Sequence, residues 1–411
     1  MNKPRPLNIA IVVPIFPNIV QTYILNQITT FIDISLNVAI IASKKGIYKE
    51  LPTVFNKYRL LDKTTYINTH YKGILAGIIS IPVFNAKYRR LLKRILKEKI
   101  WKKYGWRYTI KSLIRAKSFA LNDFTLIHSH TLTGSYEYLF LKDTMGLPVV
   151  TTFHGKEPRS SNNLSCFKSR KLFENGDAFI VNTNFAKKQL LEMGCNQDKI
   201  HIIPQGTNLE KFPYRLRSIE EKKKIIILTV ARLSIEKGHH IAIEAVARLI
   251  KLFPYIEYHI AGAGPEHIKL HSQVAELGAQ KHIIFHGSVS ENMLHTLYEA
   301  AHIFILPSID LKDGYHVETQ GVVIQEAQAS GIPVIASKTG GIPEVIQDNI
   351  TGLLFDEGDA NSLTEKISQL ILDKNLYSLL AISARGEIIK NYDINVICRK
   401  IVNLYSKHIS Y

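Results

Sequence analysis

Two carboxylates of this 411-residue chain, Glu318 and Glu326, stand with seven residues between them, at the start of a helix-like run that ends at Ser330-Gly331. The run passes into a short apolar strand, Ile332–Ala336, and then into a Gly340-Gly341 turn with a further carboxylate, Glu344. A helix starting near Gly321 puts Glu318 in the loop above its N-terminus and Glu326 about one and a half turns inside. The N–H groups of Gly321, Val322 and Val323 are then open to an anion, which the helix dipole favours. Glu326 can accept hydrogen bonds from ribose hydroxyls. Glu318 can accept them from sugar hydroxyls, or stabilise positive charge that develops during a reaction. On their own, two such glutamates also read as acids on a helix surface.

Cations lie nearby in type. In "ARLSIEKGHHIAIEA", Arg232 and Lys237 fall in a strand-to-helix loop with Gly238 at the helix start. Two cations beside helix N-terminal amides suit a pyrophosphate, although two solvated loop charges would look the same. In "HIAGAGPEHIKL", Gly262, Gly264 and Pro265 make a tight turn after a strand. His267 stands where the dinucleotide fingerprint has its third glycine, so the turn lets a ligand approach the backbone without specifying one. Asp310 and Asp313 have the wrong spacing for a metal-binding pair, and no metal is expected.

Short β-branched runs must position these groups. They recur at 8–13, 37–41, 125–128, 148–153, 178–182 and 200–203, then at 224–230, 257–261, 282–286, 302–306 and 333–336. Near-continuous apolar strands alternating with amphipathic segments imply parallel sheets covered on both faces. The two sets predict two doubly wound domains: an amino-terminal one over 1–205, a polar linker over 206–223, a carboxyl-terminal one over 224–385, and a last helix over 386–411 returning to the first domain. A chain of this length exceeds what one core usually serves. Ligands of such sheets bind beyond the carboxyl ends of the strands, in a cleft where the two domains face each other.

Net charge is +17, from 52 Lys/Arg against 35 Asp/Glu. It is concentrated: residues 85–120 carry thirteen Lys/Arg and one acid, Glu98, a local net of +12. That surplus suggests an anionic partner. Tyr88, Leu91, Leu92, Ile95 and Leu96 recur at helical spacing within it, followed by Trp101 and Trp106. The segment 85–118 suits an interfacial helix on anionic lipid, or equally a helix that turns its stripe into the core. No nucleic-acid module is recognised, and no nucleic-acid partner is expected. Cys166, Cys195 and Cys398 match neither a disulfide framework nor a zinc spacing, which favours a reducing cytoplasm. Lys3 and Arg5 precede an apolar run like a leader, but "LNIAIVV" reads better as a first buried strand. "GILAGIISIPVF", 73–84, is too short to span a bilayer.

The segment "PSIDLKDGYHVETQGVVIQEAQASGIPVIASKTGGIPEVI" resembles the signature of retaining GT-B glycosyltransferases of family GT4, or glycosyltransferase group 1. It is most similar to the bacterial branch that builds exopolysaccharide and O-antigen. "IPQGTNLEKF", "TVARLSIEKG", "AGAGPE", "FHGSVSENML", "TTFHG" and "FPNIVQTYILNQI" match in the expected order, so the resemblance covers nearly the whole chain. It implies a GT-B fold and transfer of a sugar from a nucleotide-diphosphate sugar, with retention, to a glycan or lipid-linked acceptor. No further cofactor is implied. The expected setting is cytoplasmic, peripheral at the inner face of the cytoplasmic membrane if the segment 85–118 meets lipid.

In that family Arg232 and Lys237 match the pair neutralising the donor diphosphate. Glu326 matches the glutamate on the nucleotide ribose, and Glu318 the one contacting the donor sugar. His154 matches a histidine near the transferred sugar. His128 and His130 of "IHSH", with Phe16 of the first loop, fall on the acceptor side. The chain departs from many members at "ETQG", where they carry E-G-F/L-G, and in "VPIFPNIVQTY", which lacks a glycine pair. These changes fall on the sugar and acceptor contacts. Rival readings are a GT-B epimerase, a sugar phosphorylase, a glycoside hydrolase with Glu318 and Glu326 as its acid pair, and a basic binding module without catalysis.

Overall fold

The computed structural model describes residues 7–18, 21–47, 51–67, 84–155, 163–220, 223–313 and 317–409. The Lys3 and Arg5 pair and nearly all of the 73–84 run lie outside them. The chain forms two compact units. One comprises Met1–Asn182, Ala186–Ile203 and Cys398–Tyr411; the other comprises Thr183–Phe185 and Pro204–Ile397.

The first unit holds a parallel seven-stranded sheet: β1 (Asn8–Phe16), β2 (Asn37–Lys45), β3 (Thr64–Tyr66), β4 (Leu126–Ser129), β5 (Val149–Phe153), β6 (Ala178–Val181) and β7 (Ile200–Ile202). Its order is β3-β2-β1-β4-β5-β6-β7. The second holds β8 (Ile225–Val230), β9 (Ile256–Ala261), β10 (Ile283–Gly287), β11 (Ile303–Leu306), β12 (Val334–Ser337) and β13 (Leu353–Phe355), ordered β10-β9-β8-β11-β12-β13. Both are Rossmann-like. In each, chain order reverses beside the first strand, at β1/β4 and at β8/β11, and that switch point is where such sheets bind ligands.

The apolar runs form these strands because both faces are covered. In the second unit Ile225, Ile227, Ile303, Ile305 and Ile335 belong to one core cluster. Leu228, Phe304, Leu306, Val334 and Ala336 belong to the other. Alternate residues of one strand thus face opposite helical layers, and no polar face is left for solvent. All eleven expected strands are present. The two that sequence reading missed, β3 and β13, are three-residue edge strands, too short to show a period.

The basic segment is helical. The helix Ala86–Lys97 is capped by Asn85, whose side chain accepts from the Tyr88 N–H. Its stripe turns inward: Tyr88, Leu91 and Ile95 are buried in the first unit's core, whereas Leu96 is 53% exposed. Trp101 and Trp106 stack at 5.5 Å, with Trp106 on the surface. Among the described residues no helix is long and apolar enough to cross a membrane.

Candidate active site

The second unit's switch point is built from two loops. After β8 the chain runs through Arg232 and a one-turn 3-10 helix, Ile235–Lys237, into the helix His239–Leu249. Gly238 makes the joint at φ +65, a left-handed conformation that glycine adopts at low cost. A Cβ there would overlap the carbonyl oxygen of Pro307, which follows β11. Only glycine lets the two loops close on each other at this point.

After β11 the second loop brings Glu318 to the start of the helix Val322–Ala329. Glu318 Oε2 accepts from Lys237 Nζ at 2.7 Å, and Oε1 accepts from the Gly321 N–H at 3.1 Å. The Gly340-Gly341 turn fixes the loop from behind. Gly341 N–H donates to the Glu318 carbonyl, and Gly340, at φ +54, packs where a Cβ would strike that same carbonyl. Burial alone would raise the Glu318 carboxyl. The adjacent Lys237 ammonium and the amides of Gln320 and Gly321 outweigh it and hold the group below the usual carboxylate range. Lys237 is held above its ordinary value, because the Glu318 charge and hydrogen bond overcome the opposing effect of burial.

This corrects one expectation. The Gly321 N–H is not open to an incoming anion; Glu318 occupies it. The loop's own carboxylate sits on two of the donors expected to meet the ligand, Lys237 and the Gly321 amide.

Arg232 is two-thirds exposed, 3.5 Å from Glu236. Its backbone is pinned by His239, whose Nε2–H donates to the Arg232 carbonyl at 3.0 Å. The Gly262–Gly264 turn clamps the same loop: Leu233 N–H donates to the Ala263 carbonyl, and Glu266 N–H to that of Leu233. Gly262 and Gly264 therefore let the turn close on the Ala231–Leu233 backbone that carries Arg232.

Glu326 lies a turn inside the helix, 8% exposed, and accepts from Tyr298 OH at 2.8 Å. Burial pushes its carboxyl up to about 7, against the opposing hydrogen bond from Tyr298. Val322 and Val323, at the helix start, are half-buried. Sequence reading missed Tyr298, which lies 28 residues upstream on another helix. No local pattern links it to Glu326.

In the first unit His130 and His154 follow β4 and β5, and His128 lies in β4 itself. His130 Nδ1 is 3.3 Å from His154 Nε2, and the Tyr23 ring lies 4.8 Å from that of His154. His128 is fully buried. Its Nδ1 meets Tyr405 OH at 2.5 Å and its Nε2 meets Thr152 Oγ1 at 2.7 Å, so both ring nitrogens are engaged. Phe16 is buried against Phe55.

Residues 213–387 match the family model described as glycosyl transferases group 1, and residues 81–211 the one described as glycosyltransferase family 4. The amylovoran biosynthesis glycosyltransferase AmsK of Erwinia amylovora is 29% identical over 405 residues, covering 95% of this chain and 97% of that one. The D-inositol 3-phosphate glycosyltransferase of Corynebacterium jeikeium is 30% identical over 281 residues, 62% of this chain and 65% of that one. Among solved structures, Anabaena HepE in complex with UDP superposes with TM-score 0.74 at 18% identity, covering 98% and 100% of the two chains. The two Rossmann-like units are those of the GT-B fold.

Proposed function

We propose that this chain, which belongs to the group 1 glycosyltransferases and is an enzyme of that kind, is a retaining transferase. It moves a sugar from a nucleotide-diphosphate sugar to a glycan or lipid-linked acceptor in assembly of a bacterial surface polysaccharide. The observation that carries the reading is the Lys237–Glu318–Gly321 arrangement at the β8/β11 switch point. It pairs a cation with a helix N-terminus, the combination that binds phosphate. AmsK, named for amylovoran biosynthesis, supports the polysaccharide setting, and HepE bound to UDP supports a nucleotide donor.

In this reading the diphosphate displaces Glu318 from Lys237 and takes Arg232 as its second cation. Glu318, released, turns to the donor sugar. Glu326 accepts the ribose hydroxyls, and Val322 and Val323 offer backbone amides. Departure of the diphosphate is assisted by the two cations, which neutralise the charge that builds on the leaving oxygen as the sugar–oxygen bond breaks. The acceptor hydroxyl attacks the same face and passes its proton to the departing diphosphate oxygen, with His154 beside the transferred sugar.

The basic helices of the first unit give the acceptor a route. Arg89, Arg90, Lys93 and Lys97 are exposed on the outer face of the helix Ala86–Lys97, and Trp106 is exposed at the start of a later helix of the same basic segment. We infer that this cationic and aromatic face, not the inward-turned apolar stripe, meets an anionic membrane surface. The transfer reading is tested by product analysis with a panel of nucleotide sugars and a lipid extract. Release of nucleoside diphosphate with acceptor-dependent glycoside formation supports it. An epimerised free sugar, or a sugar phosphate formed only with inorganic phosphate, refutes it.

A further inference from the structure

The histidine pair of the first unit has a protonation pattern that its surroundings decide. The His130 ring is 3% exposed and nearly coplanar in orientation with His154, at 6°. The two rings meet through His130 Nδ1 and His154 Nε2 at 3.3 Å. The other nitrogen of His130, Nε2, is buried and has no hydrogen-bond partner among the described residues. Both rings are neutral: burial lowers His154 to about 4 and pushes His130 well below its ordinary range, with His128 and His154 adding to the effect on His130.

Two neutral imidazoles facing through one nitrogen each share a single proton. If His154 donated it from Nε2, the one proton of His130 would have to sit on its own Nε2. That would be a buried N–H with no acceptor, the kind of orphan that folded proteins rarely keep. If His130 donates from Nδ1, its Nε2 is left as a bare lone pair, which is the less costly orphan. His128 holds the pair from behind. Its ring lies 4.7 Å from that of His130, fixed by Tyr405 and Thr152.

We propose that His130 is a positioning residue that fixes the tautomer of His154: the His130 Nδ1–H donates to His154 Nε2, so His154 carries its single proton on Nδ1. His154 is then a neutral hydrogen-bond donor through Nδ1, and its Nε2 is not available as a base. The tautomer is independent of the transfer reading; its consequence for turnover rests on that reading.

The direct test is a long-range proton–nitrogen correlation spectrum of the full-length protein with nitrogen-15 histidine, near neutral pH. His154→Gln and His130→Gln assign the two rings by loss of signal. The proposal expects His154 protonated at Nδ1 and bare at Nε2, and is overturned by a proton on Nε2 or on both nitrogens. His130→Asn keeps a donor amide near the Nδ1 position and should keep the tautomer of His154. His130→Leu removes the donor and should spread the proton over both sites. With an active donor sugar, kcat should fall about tenfold in the leucine variant and recover in the asparagine variant, with the donor KM unchanged. A His154 tautomer unmoved in a folded leucine variant would also overturn it. If that variant does not fold, the wild-type spectrum decides alone.

Discussion

Glu318 stands 2.7 Å from Lys237 and closes an ion pair on it, the pair that an incoming diphosphate would have to open in the reading proposed above. The two side chains are 17% and 26% exposed, so the pair is screened only in part. Its second oxygen caps the Gly321 amide. The loop thus rests with its own carboxylate neutralising Lys237 and capping the helix start.

Removing the charge from Glu318 should therefore ease binding while it stops catalysis. Glu318→Gln is expected to bind nucleoside diphosphate at least as tightly as the wild type and to lose turnover. Loss of the ion pair should cost about 1–3 kcal/mol of stability, below the full cost of a buried pair because of this exposure. Calorimetric titration with the diphosphate checks it; a clearly weaker affinity in a folded variant refutes the competition.

Glu326 predicts a pH dependence with a definite sign. Its carboxyl is raised from 4.5 to about 7 in the fold. Between those values the folded state holds more protons than the unfolded one, so stability falls as pH rises through that window. The loss should approach about 3 kcal/mol. Glu326→Gln should remove this slope and be the more stable of the two at about pH 8. Denaturant melts at the two ends of the window measure it; parallel curves for wild type and variant would refute the assignment.

Tyr298→Phe removes the hydrogen bond from the Tyr298 hydroxyl to that carboxylate. It should destabilise the second unit by about 1–2 kcal/mol and raise the Glu326 carboxyl further, since a bond that favours the charged form is gone. The pH profile of stability should shift upward. An unchanged profile would mean that Tyr298 does not set the state of Glu326.

The helix Ala86–Lys97 separates two roles by face. Leu91→Ala or Ile95→Ala, at 3% and 0% exposure, should cost about 2–5 kcal/mol. Reversing Arg89, Arg90, Lys93 and Lys97 to Glu should leave the melting curve almost unchanged and abolish salt-sensitive sedimentation with anionic vesicles. Vesicle binding that survives the four reversals contradicts the membrane proposal.

Much of this was legible in the sequence, because both sheets are built from buried parallel strands whose apolar runs leave no ambiguity of period. Edge strands escaped: Thr64–Tyr66 and Leu353–Phe355 are too short to carry a pattern. The candidate side chains Arg232, Lys237, Glu318 and Glu326 could be picked out by type and spacing. Their resting partners were not. The pairing of Lys237 with Glu318 joins residues 81 apart, and that of Tyr298 with Glu326 joins two different helices. Such contacts depend on strand order, which no local spacing encodes. The basic segment left two readings open; burial of Tyr88, Leu91 and Ile95 shows that the stripe packs inward.

The central claim is that Lys237 holds a nucleoside diphosphate, and thermal melting with UDP, GDP, ADP and CMP tests it most directly. A ligand that binds only the folded state raises the melting temperature by mass action. A clear rise with one diphosphate is expected in the wild type and none in Lys237→Ala. An equal rise in both proteins would contradict it.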